Sequence, residues 1–149
     1  MRAMIQRVSH ASVEVNKTTV SSINKGILLL VGFHKEDTSQ SFQYVINKTI
    51  NARIFNDEKD IMNKSLIDID GELLVISQFT LYGDLRKGRR PSYSEAMGPV
   101  DAEKLYNLFI EEVKTCYNRS SSGIFGADMK VSLINDGPVT LMLDSTRSF

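Results

Sequence analysis

Few side chains in this 149-residue sequence are of the types that make or break bonds. The two histidines, His10 and His34, stand singly among polar neighbours. There is no His-x-x-x-His pair, no Gly-x-Ser-x-Gly elbow and no phosphate-cradling glycine loop. A serine or cysteine nucleophile needs a base within hydrogen-bond reach, and no spacing here supplies one. Both histidines are therefore expected at the surface or in loops. Asp68-Ile69-Asp70-Gly71-Glu72 lacks the third spaced ligand and terminal glutamate of a calcium loop, which leaves a hairpin turn. One cysteine, Cys116, excludes an internal disulfide, and no Cys/His spacing suits zinc. No metal and no cofactor are expected.

Three segments keep a chemical reading. Ser77-Gln78-Phe79-Thr80-Leu81 crowds hydroxyls and an amide at the end of an apolar stretch. Buried without partners those groups would be costly, so they pair internally or meet a ligand. Arg86-Lys87-Gly88-Arg89-Arg90 sets four cations in five residues, followed by Pro91 and Tyr93. Such a run is either a solvated loop or a phosphate clamp. Asn135-Asp136-Gly137-Pro138-Val139-Thr140 reads, by itself, as an ordinary turn with a trans bond.

The elements that must carry these segments are mostly strands. Met4–Val8 and Ala11–Val15 are two expected strands, and Asn16-Lys17 turns the second back into Thr18-Thr19-Val20. Gly26–Phe33 is a continuous apolar run between glycines, which suits a strand buried on both faces. A helix capped by Asp37 or Thr38 places Phe42, Val45, Ile46, Thr49 and Ile50 on one stripe. Asp70-Gly71 turns into a strand over Glu72–Phe79. After a polar loop over Gly83–Pro99, Asp101 caps a second helix with Leu105, Leu108, Phe109, Val113 and Cys116 as its stripe. Cys116 is thus expected to be an inert core thiol. Ser120-Ser121-Ser122-Gly123 is a short low-complexity stretch. Met129–Leu143 reads as two strands joined by Asn135–Pro138, with Met129, Val131 and Leu133 on one face. The expected fold is α+β: a sheet-rich, β-barrel-like single domain over residues 1–149 with two main helices.

Composition agrees. Apolar residues make up 42% and charged residues 24%, as in a folded globular chain. Lys+Arg and Asp+Glu both number 18, so any grip on a polyanion must be local. The longest apolar run is far short of the ~20 residues of a membrane helix, and no signal core follows the N-terminus. A cytoplasmic protein without a membrane partner is expected.

Together the three segments resemble the D-aminoacyl-tRNA deacylase (D-tyrosyl-tRNA deacylase) family. Ser77-Gln78-Phe79-Thr80-Leu81 and Asn135-Asp136-Gly137-Pro138-Val139-Thr140 look like its two signature motifs. Gln6-Arg7-Val8, Lys87-Gly88-Arg89-Arg90-Pro91-Ser92 and Gly123-Ile124-Phe125-Gly126-Ala127-Asp128-Met129 match as well, in the right order. The resemblance implies a barrel-like homodimer, with active sites at the subunit interface, that hydrolyses the ester between a D-amino acid and the terminal ribose of tRNA. It implies a catalytic pocket of Ser77, Gln78, Phe79 and Thr80, with amides near Phe79 and Thr80 as oxyanion donors. A cis Gly137-Pro138 would act as chiral selector in the partner's site, braced by Arg7 across the interface, with Met129 lining the pocket. Arg86, Lys87, Arg89 and Arg90 would hold tRNA phosphates. Thr80 would position substrate while the substrate's 2′-hydroxyl assists water. Glycyl-tRNA, having no side chain to exclude, would also be cleaved. Arg90 and Tyr93 are small departures from the expected pattern outside both signatures. The competing readings are a deacylase for another mischarged tRNA, a non-catalytic tRNA-binding dimer and a purely structural dimer.

Overall fold

Period-two alternation dominates the first fifteen residues. In the computed structural model, which describes residues 1–149, they form one strand, β1 (Arg2–Val15), instead of the two expected. The reason is its partner. β8 (Lys130–Asp144) pairs antiparallel with β1 from Arg2↔Asp144 to Glu14↔Lys130, so a single ladder spans the polar Ser9-His10 interval. The ladder slips between Gln6↔Thr140, Val8↔Asn135 and His10↔Ile134. At that slip Arg7 and Val8 are both buried. Ala3 and Ile5 before it face the helices, whereas Val8, Ala11 and Val13 after it face the barrel interior.

The same ladder corrects the reading of the last third. Both halves of Met129–Leu143 run along one neighbour in one direction, so they cannot be a hairpin. Asp136–Val139 instead bulges out of a continuous β8. The alternation expected for its first half is present, with Val131 and Leu133 half-buried and Lys130, Ser132 and Ile134 exposed.

Asn16 and Lys17 both have positive φ (51° and 64°), the conformation a tight two-residue hairpin demands. They lead into β2 (Thr18–Ile23). β3 (Gly26–Gly32) pairs antiparallel with β1 and parallel with β6 (Glu72–Ser77). Both are buried on two faces: Ile27, Leu29, Leu73 and Val75 pack under the helices, and Leu28, Leu74 and Ile76 fill the barrel. This is why their sequences read as unbroken apolar runs. β7 (Ser120–Ser122), expected only as a low-complexity stretch, adds a parallel strand to β6. Ser21 Oγ donates to Ser122 O at 2.6 Å and draws β2 toward β7, so the mixed sheet nearly closes on itself. A separate ribbon joins β4 (Phe55–Asn56) to β5 (Met62–Lys64). The sheet-rich, barrel-like α+β class with two main helices is the one observed.

α1 (Phe42–Asn51) buries the expected five residues. Thr38 caps a preceding 3₁₀ turn over Ser39–Ser41, its Oγ1 accepting from Gln40 N at 3.4 Å. α2 (Pro99–Cys116) starts from Gly98 with Pro99 in its first turn, and Asp101 lies inside the helix instead of capping it. Its buried stripe is Ala102, Tyr106, Phe109, Ile110 and Val113. Leu105 is only partly buried, Leu108 is 57% exposed, and Cys116 is exposed, which overturns the core-thiol expectation. Tyr106 can take an inside position because its hydroxyl donates to Val75 O at 3.1 Å. Satisfying the phenol lets the helix turn Leu108 and Cys116 outward.

Candidate active site

The strand expected over Glu72–Phe79 ends at Ser77. Gln78 N still donates to Val31 O, at 2.6 Å, and the chain then winds into a 3₁₀ turn over Phe79–Tyr82. Leu81 N bonds Gln78 O (3.2 Å) and Gly83 N bonds Thr80 O (2.9 Å). The first N–H groups of such a turn have no acceptor within it. No backbone or side-chain bond outside the regular elements takes the Phe79 or Thr80 amide. Two adjacent donors thus open the turn without an acceptor inside it, at the start of a turn and not at a strand end.

β1 holds this turn from below. Arg2 Nη1 donates to Leu81 O at 3.0 Å, its guanidinium lies 4.6 Å from the Tyr82 ring centre, and Asp144 anchors Nε at 3.4 Å. Burial pushes the Tyr82 phenol well above its ordinary pKa, so this ring serves as packing and not as an acid or base.

Beside the turn opens a cavity of about 530 Å³. Ser77, Gln78 and Phe79 form one side and Met129 and Val131 another. The mostly apolar remainder comes from distant places in the chain: Gly32 and Phe33 at the end of β3, Met97 and Pro99 at the start of α2, and Phe125–Asp128 in the loop before β8. Asp128 is the one titratable side chain of the lining, and Lys130 Nζ occupies its carboxylate at 2.9 and 3.0 Å. Thr80 is exposed, and its hydroxyl accepts from Gln78 Nε2. No carboxylate or imidazole bonds to it. The site can bind an apolar-edged ligand and offer amides to a developing oxyanion, and it holds no resident base for a threonine nucleophile.

The Asn135–Thr140 segment lies elsewhere. The Gly137-Pro138 bond is cis, with Gly137 at φ 139°, and both residues are exposed on the β8 bulge. Neither lines the cavity of its own chain. Asn135 braces the bulge internally, its Oδ1 accepting from Val139 N at 2.7 Å. Arg7 sits behind it, 8% exposed and without a carboxylate partner. Its Nε donates to Asp136 O (2.6 Å), and its Nη1 donates to Ile54 O (2.6 Å) and Asn56 Oδ1 (3.2 Å). These bonds brace the bulge within the chain.

The basic segment forms the tip of a hairpin closed by Asp84 N→Ser92 O (2.8 Å) and Ser92 N→Asp84 O (2.9 Å). Arg86 folds back on Asp84, 2.7 Å between Nη2 and Oδ2, and holds that carboxyl down at about 2. Lys87, Arg89 and Arg90 are exposed with no acidic partner. At the far end of the loop, Glu95 meets His34 Nε2 (3.0 Å) and Lys35 Nζ (3.1 Å), and these bonds lower its pKa. His34 thus tethers a loop, and His10 is exposed, in keeping with their expected places.

The family model for D-Tyr-tRNA(Tyr) deacylase matches residues 4–144. This chain belongs to that family. A D-aminoacyl-tRNA deacylase of Clostridium botulinum (strain 657 / Type Ba4) is 53% identical over 149 residues, with 100% of both chains covered. One from Thermosipho melanesiensis is 53% identical over 150 residues, again with full coverage of both. Among solved structures, the c-Myc DNA Unwinding Element Binding Protein superposes with a TM-score of 0.92 at 40% identity, covering 97% of this chain and 98% of that one. A probable eukaryotic D-amino acid tRNA deacylase shares the fold, with a TM-score of 0.83 at 18% identity. Within this deacylase, the structure gathers Ser77, Gln78, Phe79 and Met129 around one cavity and keeps Gly137, Pro138 and Arg7 apart from it. Met97, Pro99 and Phe125–Asp128 were not singled out as site residues from sequence. The only signal for the last group was the motif-like segment Gly123–Met129.

Proposed function

We propose that the chain hydrolyses D-aminoacyl-tRNA, the reaction its family is named for, by a route in which substrate and main chain do most of the work. The observation that carries this is the pair of amides, at Phe79 and Thr80, that open the turn beside a cavity with no available base. The aminoacyl ester enters with its carbonyl oxygen toward those amides. Water attacks the carbonyl carbon, the amides hold the oxyanion, and the bond to the ribose 3′-oxygen breaks. The proton lost by water passes through the neighbouring ribose 2′-hydroxyl to the leaving oxygen. Thr80 and Gln78, bonded to each other, position the ester and form no acyl-enzyme. An activated ester needs only such positioning and charge stabilisation.

Handedness is read by Gly137-Pro138 of a second copy. Three features support this reading. The corner is exposed, it is absent from its own chain's cavity, and it sits on β8, whose outer edge pairs with no strand and carries exposed Ile134, Leu141 and Met142. An unpaired edge with exposed apolar residues is a ready interface. In a homodimer each corner would enter the partner's cavity, meet the substrate's α-carbon with backbone alone, and leave no room for an L side chain. Lys87, Arg89 and Arg90 would hold acceptor-stem phosphates, with Arg86 shaping their hairpin through Asp84. A tRNA substrate places the work in the cytoplasm; no helix is long and apolar enough to cross a membrane.

The test is parallel deacylation of D-tyrosyl-, L-tyrosyl- and glycyl-tRNA by the purified protein. Rapid clearance of the first and third with sparing of the second is expected. Clearance of the L-ester, or resistance of the glycyl ester, refutes the exclusion by a main-chain corner. A covalent Thr80 adduct in the mass spectrum refutes the substrate-assisted route.

A further inference from the structure

Phe79 lines the cavity, yet it is 56% exposed. Tyr93, from the loop after the basic hairpin, is 38% exposed and meets the Phe79 ring edge-to-face, with centroids 5.0 Å apart and planes at 67°. The pair is not a loose surface accident. Tyr93 directly follows the Asp84–Ser92 pairing, and its carbonyl accepts from Ala96 N at 3.0 Å. Its ring also lies against the backbone at Gly83, where a Cβ would stand 3.2 Å from Tyr93 Cε1 and 3.0 Å from Thr80 O. A side chain at position 83 would press on both the tyrosine ring and the turn that carries Thr80. Two aromatic faces are thus built onto the rim, half in solvent, and the hairpin bearing the unpaired Lys87, Arg89 and Arg90 departs from the same place.

Exposed aromatics beside a cation-lined path are the means by which proteins hold single-stranded nucleic acid: rings stack on bases and cations follow the phosphates. Resting on the reading of the cavity as the site for the ester-bearing terminal nucleoside, we propose that Phe79 and Tyr93 form a stacking platform for the unpaired base that precedes it in tRNA. The platform grips one nucleotide beyond the reaction without reading which tRNA it belongs to, because every base has a π-face.

The test compares Tyr93→Leu and Tyr93→Phe on three substrates: intact D-tyrosyl-tRNA, the same tRNA made abasic at the penultimate nucleotide, and the D-tyrosyl ester of adenosine alone. Leucine keeps apolar bulk over Gly83, which protects the fold. On intact tRNA, Tyr93→Leu is expected to lower kcat/KM by about 5- to 160-fold, the range for one base–aromatic stack, chiefly through KM. Tyr93→Phe stays within about twofold of wild type. On the abasic tRNA and the adenosine ester, Tyr93→Leu matches wild type. An equal loss on all three substrates, or no loss on any, overturns the platform. So does a changed solution mass of Tyr93→Leu, which would put Tyr93 in a protein interface. Wild-type hydrolysis of intact D-tyrosyl-tRNA checks the underlying deacylase reading separately; if the wild type cleaves none of the three, that reading fails and the platform falls with it.

Discussion

Replacing Arg7 by Met removes the guanidinium that ties the Gly137-Pro138 bulge to the β4–β5 ribbon while keeping an unbranched side chain of similar length. Three hydrogen bonds disappear: to Asp136 O and Ile54 O at 2.6 Å each, and to Asn56 Oδ1 at 3.2 Å. A hydrogen bond from a charged donor contributes about 1.5–3 kcal/mol, and a buried acceptor left alone costs about 1–3 kcal/mol. The Ile54 carbonyl bears the full penalty, because its bond is buried. Asp136 is exposed and recovers part from water. Relief of a buried cation without an anion offsets some of the loss, so a net destabilisation of about 2–4 kcal/mol is expected. Denaturant unfolding should show it as a lower midpoint with an unchanged slope. If the corner selects handedness, loosening it by even about 1.4 kcal/mol corresponds to about tenfold in rate. kcat/KM for D-tyrosyl-tRNA should therefore fall by about that much relative to the L-ester, and the D/L ratio should shrink. Arg7→Lys, which cannot reach two directions at once, should recover only part of either quantity. Wild-type stability together with a wild-type D/L ratio in Arg7→Met would refute both the brace and its link to selection.

Other outcomes follow from single interactions. Replacing Lys87, Arg89 or Arg90 by Ala should each flatten the slope of log KM against log salt by about 0.7–0.9 for every phosphate that is no longer held; Arg86→Ala, whose cation is already engaged by Asp84, should change the slope least. Asp84 should titrate near pH 2 in an NMR titration of its carboxyl. Because its folded pKa lies below the ordinary ~3.9, the stabilisation it lends the hairpin is present above that value and is lost as pH falls toward 2; a midpoint at the ordinary value would mean that the clasp with Arg86 does not form. Phe109→Ala, which removes a fully buried ring packed edge-to-face on Phe42 at 5.1 Å, should cost about 3–5 kcal/mol in the same unfolding assay.

Much of the site was legible because its parts are local. Ser77–Thr80 announces itself as polar residues ending an apolar strand, and α1 shows its buried stripe because spacing at three and four residues is a property of one helix. The double-sided burial of β3 is likewise written in Gly26–Gly32, where no polar residue interrupts the run. In each case a side chain's surroundings are set by near neighbours along the chain.

What local pattern could not give was settled by partners far away in sequence. β8 is one strand because β1 pairs with both of its halves, a fact invisible in residues 130–144 alone. α2 faces inward through Tyr106 instead of Leu108 because the Val75 carbonyl stands ready to accept the phenol, and that acceptor lies 31 residues away. The cavity needed Met97, Phe125 and Ser77 brought together from three unconnected segments. Residue types and short-range periodicity thus determined the fold class, the polar Ser77–Thr80 segment and the cationic run at Arg86–Arg90. Long-range pairing alone decided which faces are buried, where the cavity opens and that Gly137-Pro138 stands outside it, because those outcomes depend on interactions whose two halves the chain places far apart.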